Sequence, residues 1–328
     1  MATITLNTGA VMPAISLGMW KIAKDTTASV VVEAIRAGYR GIDCACDYGN
    51  EKEVGDGIKA AIAEGLCTRE ELFITSKLWN TYHAKAHVEP ACRKTLADLG
   101  LAYLDLYLIH FPICCKYVPI EERYPPEWCT DAGVMEIVPV PVTETWQAME
   151  ALADAGLAKA IGVSNFSCSL VQDLLATCRV KPAANQVEIH PYNAQASLSA
   201  FMAANGIAVT GFSPIGSSSY VEIGMDKGHS KGVLENDTTV AIATAHGATP
   251  AQVCLRWQIQ RGHAIVPKST NPGRLRENLA AGTDKFVLSA EQMAQITALD
   301  QKLRYNDPGE FTKGMGPQWA ETGYPIHD

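Results

Sequence analysis

The stretch GIDCACDYGNEKEVG (41–55) reads as the end of an apolar strand, a tight Gly/Asn turn and the first turn of a helix. The strand closes on Asp43, a carboxylate that is costly to bury without a partner. Tyr48 follows five residues later, and Asn50 stands where an N-cap would open the helix. A single strand–helix unit fits many folds, so its recurrence decides.

The unit recurs from end to end. Residues 16–20 precede an amphipathic run at 28–37, and 41–45 precede 51–64. LFITSKLW (72–79) precedes 88–99, and LDLYLIH (104–110) precedes, after a long gap, 143–155. AKAIGVSN (158–165) leads into 169–175, ANQVEIH (184–190) into 197–204, and AVTGFSP (208–214) into 239–246. The eighth unit is AIVPKS (264–269) with 274–280. Many of these strands are near-continuous apolar runs, as parallel strands buried on both faces should be. Eight units in one chain predict a (β/α)8 TIM barrel spanning residues 1–328 as one domain. A doubly wound sheet shares the alternation and is the alternative. TITLNTGAVMPAIS (3–16) reads as an N-terminal β-hairpin turning at 7–9, placed across the barrel bottom. Residues 111–142, 215–237 and the tail from about 300 fall outside the repeat. Loops of that length are usually functional, and in a barrel the βα loops build the site, so the tail is expected to form part of a substrate pocket.

Composition narrows the partners. The 328 residues are 47% hydrophobic and 19% charged, ordinary for a soluble globular chain, and the net charge of −8 gives no basic surplus for nucleic acid. No apolar run reaches the length of a membrane span, and MATITLNTGAVMP (1–13) has no secretory signal pattern, so a cytoplasmic protein is expected. The ten cysteines form no C-x-x-C motif and read as small buried hydrophobes; the adjacent Cys114 and Cys115 would be redox-active only if exposed. His83 and His87 are spaced like metal ligands, but Pro90 and the loop-like WNTYHAKAHVEP (79–90) argue against a helix there, and no metal site is assigned.

Barrel chemistry sits where strands end. Asp43 ends the second strand with Tyr48 just beyond it, the third carries Lys77, and the fourth ends in His110. Singly each is more often structural than catalytic; together they make chemical sense. A phenol is a poor acid near neutral pH unless an ammonium such as Lys77 stabilises its anion. The lysine in turn needs Asp43 to hold its charge inside a barrel. A neutral His110 can donate one N–H to aim a carbonyl oxygen. The four would protonate an oxygen. No side-chain nucleophile accompanies them, and a hydride from a nicotinamide fits instead.

Those residues sit in motifs that carry a family resemblance along nearly the whole chain: G-x-D-x-A-x-x-Y-x-N-E (41–51), TSKLWN (75–80), DLYLIHFP (105–112), IGVSNF (161–166), NQVEIHPY (185–192) and IVPKS (265–269). The chain resembles the aldo-keto reductases. Within them it is most similar to the fungal-type xylose reductases, through GMWK (18–21), HFPICCKYVPIEERYPP (110–126) and LRYNDP (303–308). The resemblance implies Tyr48 as general acid, assisted by Asp43, Lys77 and His110. It implies that Ser164, Asn165 and Gln186 hold the nicotinamide carboxamide and that Phe212 stacks on its ring, beside Ser213. Phe keeps the stacking face that Tyr gives in relatives and loses a hydroxyl. Lys268, Ser269 and Arg274 match positions that hold the 2′-phosphate of NADPH, and Thr270 stands where xylose reductases usually carry Asn, which leaves room for NADH as a second cofactor. Glu277 and Asn278 match residues near the adenine, and Glu222 one that reaches the adenosine ribose.

By the same resemblance Trp20, Asp47, Trp79, Phe111 and Asn306 line the substrate pocket. Asp47 and Asn306 could bond sugar hydroxyls within an otherwise apolar wall. The expected activity is therefore reduction of an aldose, D-xylose first, by a monomer or homodimer acting on small carbonyl compounds. Reduction of sugar phosphates or of aliphatic and aromatic aldehydes is the alternative. A cofactor-binding sensor with little turnover is the alternative of another class. GDGIKA (55–60) matches a dinucleotide fingerprint but follows a charged stretch rather than a strand, so it reads as helix interior. Tyr48 and Lys52 also give Y-x-x-x-K, without the glycine-rich first turn that short-chain dehydrogenases need.

Overall fold

The apolar runs become strands in the order in which they occur. The computed structural model describes residues 1–216, 218–221, 223–225 and 232–327. β1 (Thr3–Thr5) and β2 (Val11–Pro13) form the antiparallel hairpin, with Thr3 opposite Pro13. β3 (Leu17–Gly18), β4 (Gly41–Asp43), β5 (Phe73–Leu78), β6 (Leu106–Ile109), β7 (Ile161–Ser164), β8 (Ala184–Glu188), β9 (Ala208–Phe212) and β10 (Ala264–Ile265) follow. These eight pair in parallel in sequence order. The sheet closes through a parallel bridge between Ile15 and Ile265, with Ser16 N–H donating to Ile265 O at 3.0 Å and Gly18 N–H to Pro267 O at 3.1 Å. Sequential parallel pairing and closure make this the expected (β/α)8 barrel and exclude the doubly wound sheet.

The hairpin seals the barrel floor: Leu6 and Met12 pack with Phe73, Leu106 and Leu108 at the strand starts. Helices ring the outside with their apolar stripes on the sheet. The glycines of GDGIKA lie inside the helix Glu51–Ala63, where a Cβ at Gly55 would meet Leu99 O at 2.5 Å and one at Gly57 would meet Ala28 O at 2.7 Å. They let three helices approach closely and have no part in phosphate binding.

Local rules misplace three details. Asn50 stands at the N-cap of that helix, but its side-chain amide donates to Met19 O and Ile22 O at 3.0 and 3.1 Å and so ties the first two units together. The helix doubted around Pro90 runs from Lys85 to Leu99 with Pro90 inside it, because burial of Val88, Ala91, Cys92, Leu96 and Leu99 outweighs one lost hydrogen bond. A helix at Pro250–Gln260 lies outside the eight expected runs. Its signal was present in TPAQ (249–252), a capping box with proline in the first turn. Cys114 and Cys115 are both buried, which removes the exposure a redox pair needs. Among the described residues no helix is long and apolar enough to cross a membrane.

Candidate active site

The ends of β4, β5 and β6 bring the predicted rim residues together. Lys77 Nζ donates to Asp43 Oδ1 at 2.6 Å, to Cys44 O at 2.8 Å and to Tyr48 Oη at 3.1 Å. The other carboxylate oxygen, Asp43 Oδ2, accepts from Gln186 Nε2 at 2.7 Å. Asp43 and Lys77 are almost wholly buried, so neither would keep its charge without the other. The Tyr48 and His110 rings stand edge to face, 6.0 Å apart.

Electrostatics set the protonation states. Burial pulls the Lys77 ammonium towards neutrality, but the Asp43 carboxylate outweighs it and holds the lysine above its usual range. Burial lifts the Tyr48 phenol above its ordinary value, and Lys77 offsets only part of the rise. Lys77 acts in the expected direction, favouring the anion, but burial is the larger effect and favours the protonated phenol. Burial, the Lys77 charge and nearby His83 together push His110 far below the usual imidazole range, leaving a neutral ring. Asp47, on the cleft wall, is pushed up to about 7 by burial, with Lys77 opposing and Glu127 adding to the rise.

A cleft of about 840 Å³ runs from this rim to the helix Pro272–Ala280. Ser164, Asn165, Gln186, Phe212 and Ser213 line its middle, and Lys268, Ser269, Thr270, Arg274, Glu277 and Asn278 line its far end. Glu222 lies outside the described residues. Asn165 and Ser213 adopt left-handed backbone, with φ of 61° and 48°, a conformation uncommon for side-chain-bearing residues and frequent at binding sites. Asn165 Nδ2 donates to His110 O at 2.9 Å, while its Oδ1 is buried without a partner. A buried carbonyl oxygen left open suits a carboxamide N–H. Lys268 and Arg274 are exposed and enter no ion pair among the described residues, beside the N-terminus of a helix that Asn271 caps through Arg274 N–H. Two free cations at a helix N-terminus suit a phosphate. The donor set therefore fits a phosphorylated dinucleotide.

At the rim end Trp20, Asp47, Phe111 and Asn306 line the cleft as expected. Trp79 does not. It is fully buried behind the wall, its ring 5.2 Å from His110, 6.2 Å from Phe111 and 4.9 Å from Trp128, with Nε1 donating to Glu127 O at 3.0 Å. It buttresses the wall from outside the pocket. Sequence reading missed Trp128, Phe311 and Met315, which complete the apolar side, and Tyr220, whose hydroxyl lies 2.8 Å from Ser213 Oγ. Their loops were recognisable by length and aromatic content, but nothing local says which side chain turns inward.

Behind Tyr48, buried Glu51 accepts from Ser76 Oγ at 2.5 Å, Thr95 Oγ1 at 3.1 Å and Tyr124 Oη at 3.4 Å. Burial lifts its carboxyl to about 7 despite those hydrogen bonds. The folded state thus holds a proton that the unfolded chain releases near its ordinary value of 4.5. The associated stability is complete below that value and is lost as pH rises through about 7, by up to roughly 3 kcal/mol. Urea unfolding of wild type and Glu51→Gln between about pH 5 and pH 8 should show the variant gaining on wild type as pH rises.

A barrel with a buried Asp–Lys–Tyr relay on its rim and a phosphate-accepting end to the same cleft defines a reductase-type site. The model of the Aldo/keto reductase family matches residues 14–301, and the chain belongs to that family. Its particular likenesses are narrow. It is 48% identical over 98% of its length to a probable NAD(P)H-dependent D-xylose reductase of Aspergillus clavatus, covering 97% of that protein. It is 50% identical over 94% of its length to the NAD(P)H-dependent D-xylose reductase of Pachysolen tannophilus, covering 96% of it. An NADPH-dependent aldose reductase of Saccharomyces cerevisiae is 47% identical, with 97% and 99% of the two chains covered. The solved structure of the aldose reductase from Schistosoma japonicum superposes with a TM-score of 0.86 at 35% identity, covering 100% of this chain and 99% of that one.

Proposed function

We propose that the protein reduces the open-chain aldehyde of an aldose, D-xylose first, to the polyol, with NADPH as preferred cofactor and NADH as a second. The observation that carries this is the pairing of the buried Asp43–Lys77–Tyr48 relay with two polar side chains, Asp47 and Asn306, set among the apolar side chains Trp20, Phe111, Trp128, Phe311 and Met315. The named activities of the similar proteins support it. Bound nicotinamide supplies the hydride. Ser164, Asn165 and Gln186 would hold its carboxamide, Phe212 would cover its ring, and Lys268, Ser269, Thr270 and Arg274 would take the 2′-phosphate, with Glu277 and Asn278 beside the adenine.

His110, neutral and buried, orients the aldehyde oxygen towards the Tyr48 hydroxyl. Tyr48 gives up its proton as negative charge develops on that oxygen, and Lys77, 3.1 Å away, stabilises the phenolate that remains. Asp43 keeps Lys77 charged throughout, and Gln186 holds the free oxygen of Asp43. Trp20, Phe111 and Trp128 exclude water, while Asp47 and Asn306 bond the sugar hydroxyls. The whole cleft comes from one chain whose tail completes the pocket, so one barrel is the working unit in a monomer or a homodimer. All ten cysteines are free, which suits a reducing cytoplasm.

Identification of xylitol as the product of D-xylose and NADPH tests the reading; consumption of NADPH without polyol would refute it. Arg274→Ala should raise KM for NADPH about ten- to a hundredfold and leave KM for NADH unchanged, since only one cofactor carries the phosphate.

A further inference from the structure

At the end of β8, Glu188 is fully buried on the same rim as the catalytic residues, yet it does not line the cleft. Its carboxylate reaches across the fold to the C-terminal tail. Oε1 accepts the backbone N–H of Tyr305 at 2.8 Å, and Oε2 accepts that of Asn306 at 2.7 Å. His190 Nε2 lies 2.8 Å from Oε1. The His190 ring in turn packs 5.4 Å from the Tyr305 ring, which stacks on Tyr220. Two consecutive backbone amides thus converge on one carboxylate, more than a hundred residues away in sequence, immediately at the residue that faces the substrate.

We propose that Glu188 is the positioning residue that sets Asn306 in the sugar site, and hence a determinant of selectivity for polyhydroxy aldehydes. The inference rests on Asn306 binding a sugar hydroxyl, as proposed above. The chemistry requires an anion. A carboxylate offers acceptors to all three donors at once, whereas the isosteric Gln has one oxygen and turns an NH2 towards an N–H. A residue that only filled space would tolerate that change. Burial opposes the ionised form, but the donors around Glu188 outweigh it and hold the acid below its ordinary range. Glu188 therefore remains an acceptor throughout the neutral range.

The test is a double-mutant cycle on kinetics with NADPH, using D-xylose and pentanal, an aldehyde of equal carbon number without hydroxyls. Glu188→Gln should raise KM for D-xylose about tenfold while kcat/KM for pentanal and the Kd for NADPH change by no more than about twofold. In an Asn306→Ala background the same substitution should leave KM for D-xylose unaltered, because the side chain it positions is gone. An equal loss for both substrates, or a full effect that persists without the Asn306 side chain, overturns the proposal. If Asn306→Ala alone leaves the D-xylose KM unchanged, the assignment of Asn306 fails, and the role of Glu188 falls with it. Should Glu188→Gln not fold, His190→Phe keeps a ring against Tyr305 but removes the third donor to the carboxylate, and should show the same split at smaller amplitude. An unchanged split there counts against the proposal.

Discussion

Tyr48→Phe is expected to lower kcat/KM for D-xylose about a hundred- to ten-thousandfold while leaving the Kd for NADPH within about twofold of wild type. Phe keeps the ring against His110 and removes only the atom that carries the proton. Lys77 keeps Asp43 and Cys44 O as partners in the variant, so the barrel should unfold at nearly the wild-type urea concentration. Loss of rate with stability and cofactor binding intact would assign the hydroxyl to chemistry. A variant within about threefold of wild type would show that the proton comes from elsewhere.

The second large effect falls on stability as well as rate. Lys77→Met leaves the Asp43 carboxylate buried with Gln186 as its remaining side-chain partner, and stranding one member of a buried ion pair costs about 3–5 kcal/mol. Activity should fall by at least as much as in Tyr48→Phe, because the phenolate left after proton transfer loses its cation. Adding Asp43→Asn to Lys77→Met removes the stranded charge and should restore most of the stability without restoring turnover. Urea unfolding read beside the initial rate separates the two contributions. Equal stability of the single and double variants would mean that the carboxylate is not the source of the cost.

The rim was legible because three of its four residues interrupt an apolar pattern. Asp43, Lys77 and His110 all stand on or at the end of strands that otherwise read as barrel wall, and a charge there asks for a partner. Closure of the barrel followed from counting strand–helix units. What stayed hidden depends on contacts between segments distant in sequence. The Gln186–Asp43 hydrogen bond joins residues 143 positions apart, and Glu188 accepts the tail amides of Tyr305 and Asn306 across more than a hundred residues. Trp79 shows the converse: motif and position place it in the pocket, but it is fully buried, with its ring packed on Phe111 and Trp128, which line the cleft while it does not. The helix through Pro90 went against local reasoning because burial of its apolar face contributes more than the hydrogen bond that proline removes.

The most direct measurement is the loss of NADPH absorbance with D-xylose and with pentanal, each rate expressed per unit of free aldehyde. An aldose reductase should reduce D-xylose with the higher kcat/KM, because Asp47 and Asn306 find hydroxyls to bond. Turnover of pentanal alone would contradict the sugar assignment and leave a general aldehyde reductase. Tight NADPH binding with neither substrate reduced would contradict the enzyme itself and favour a cofactor sensor.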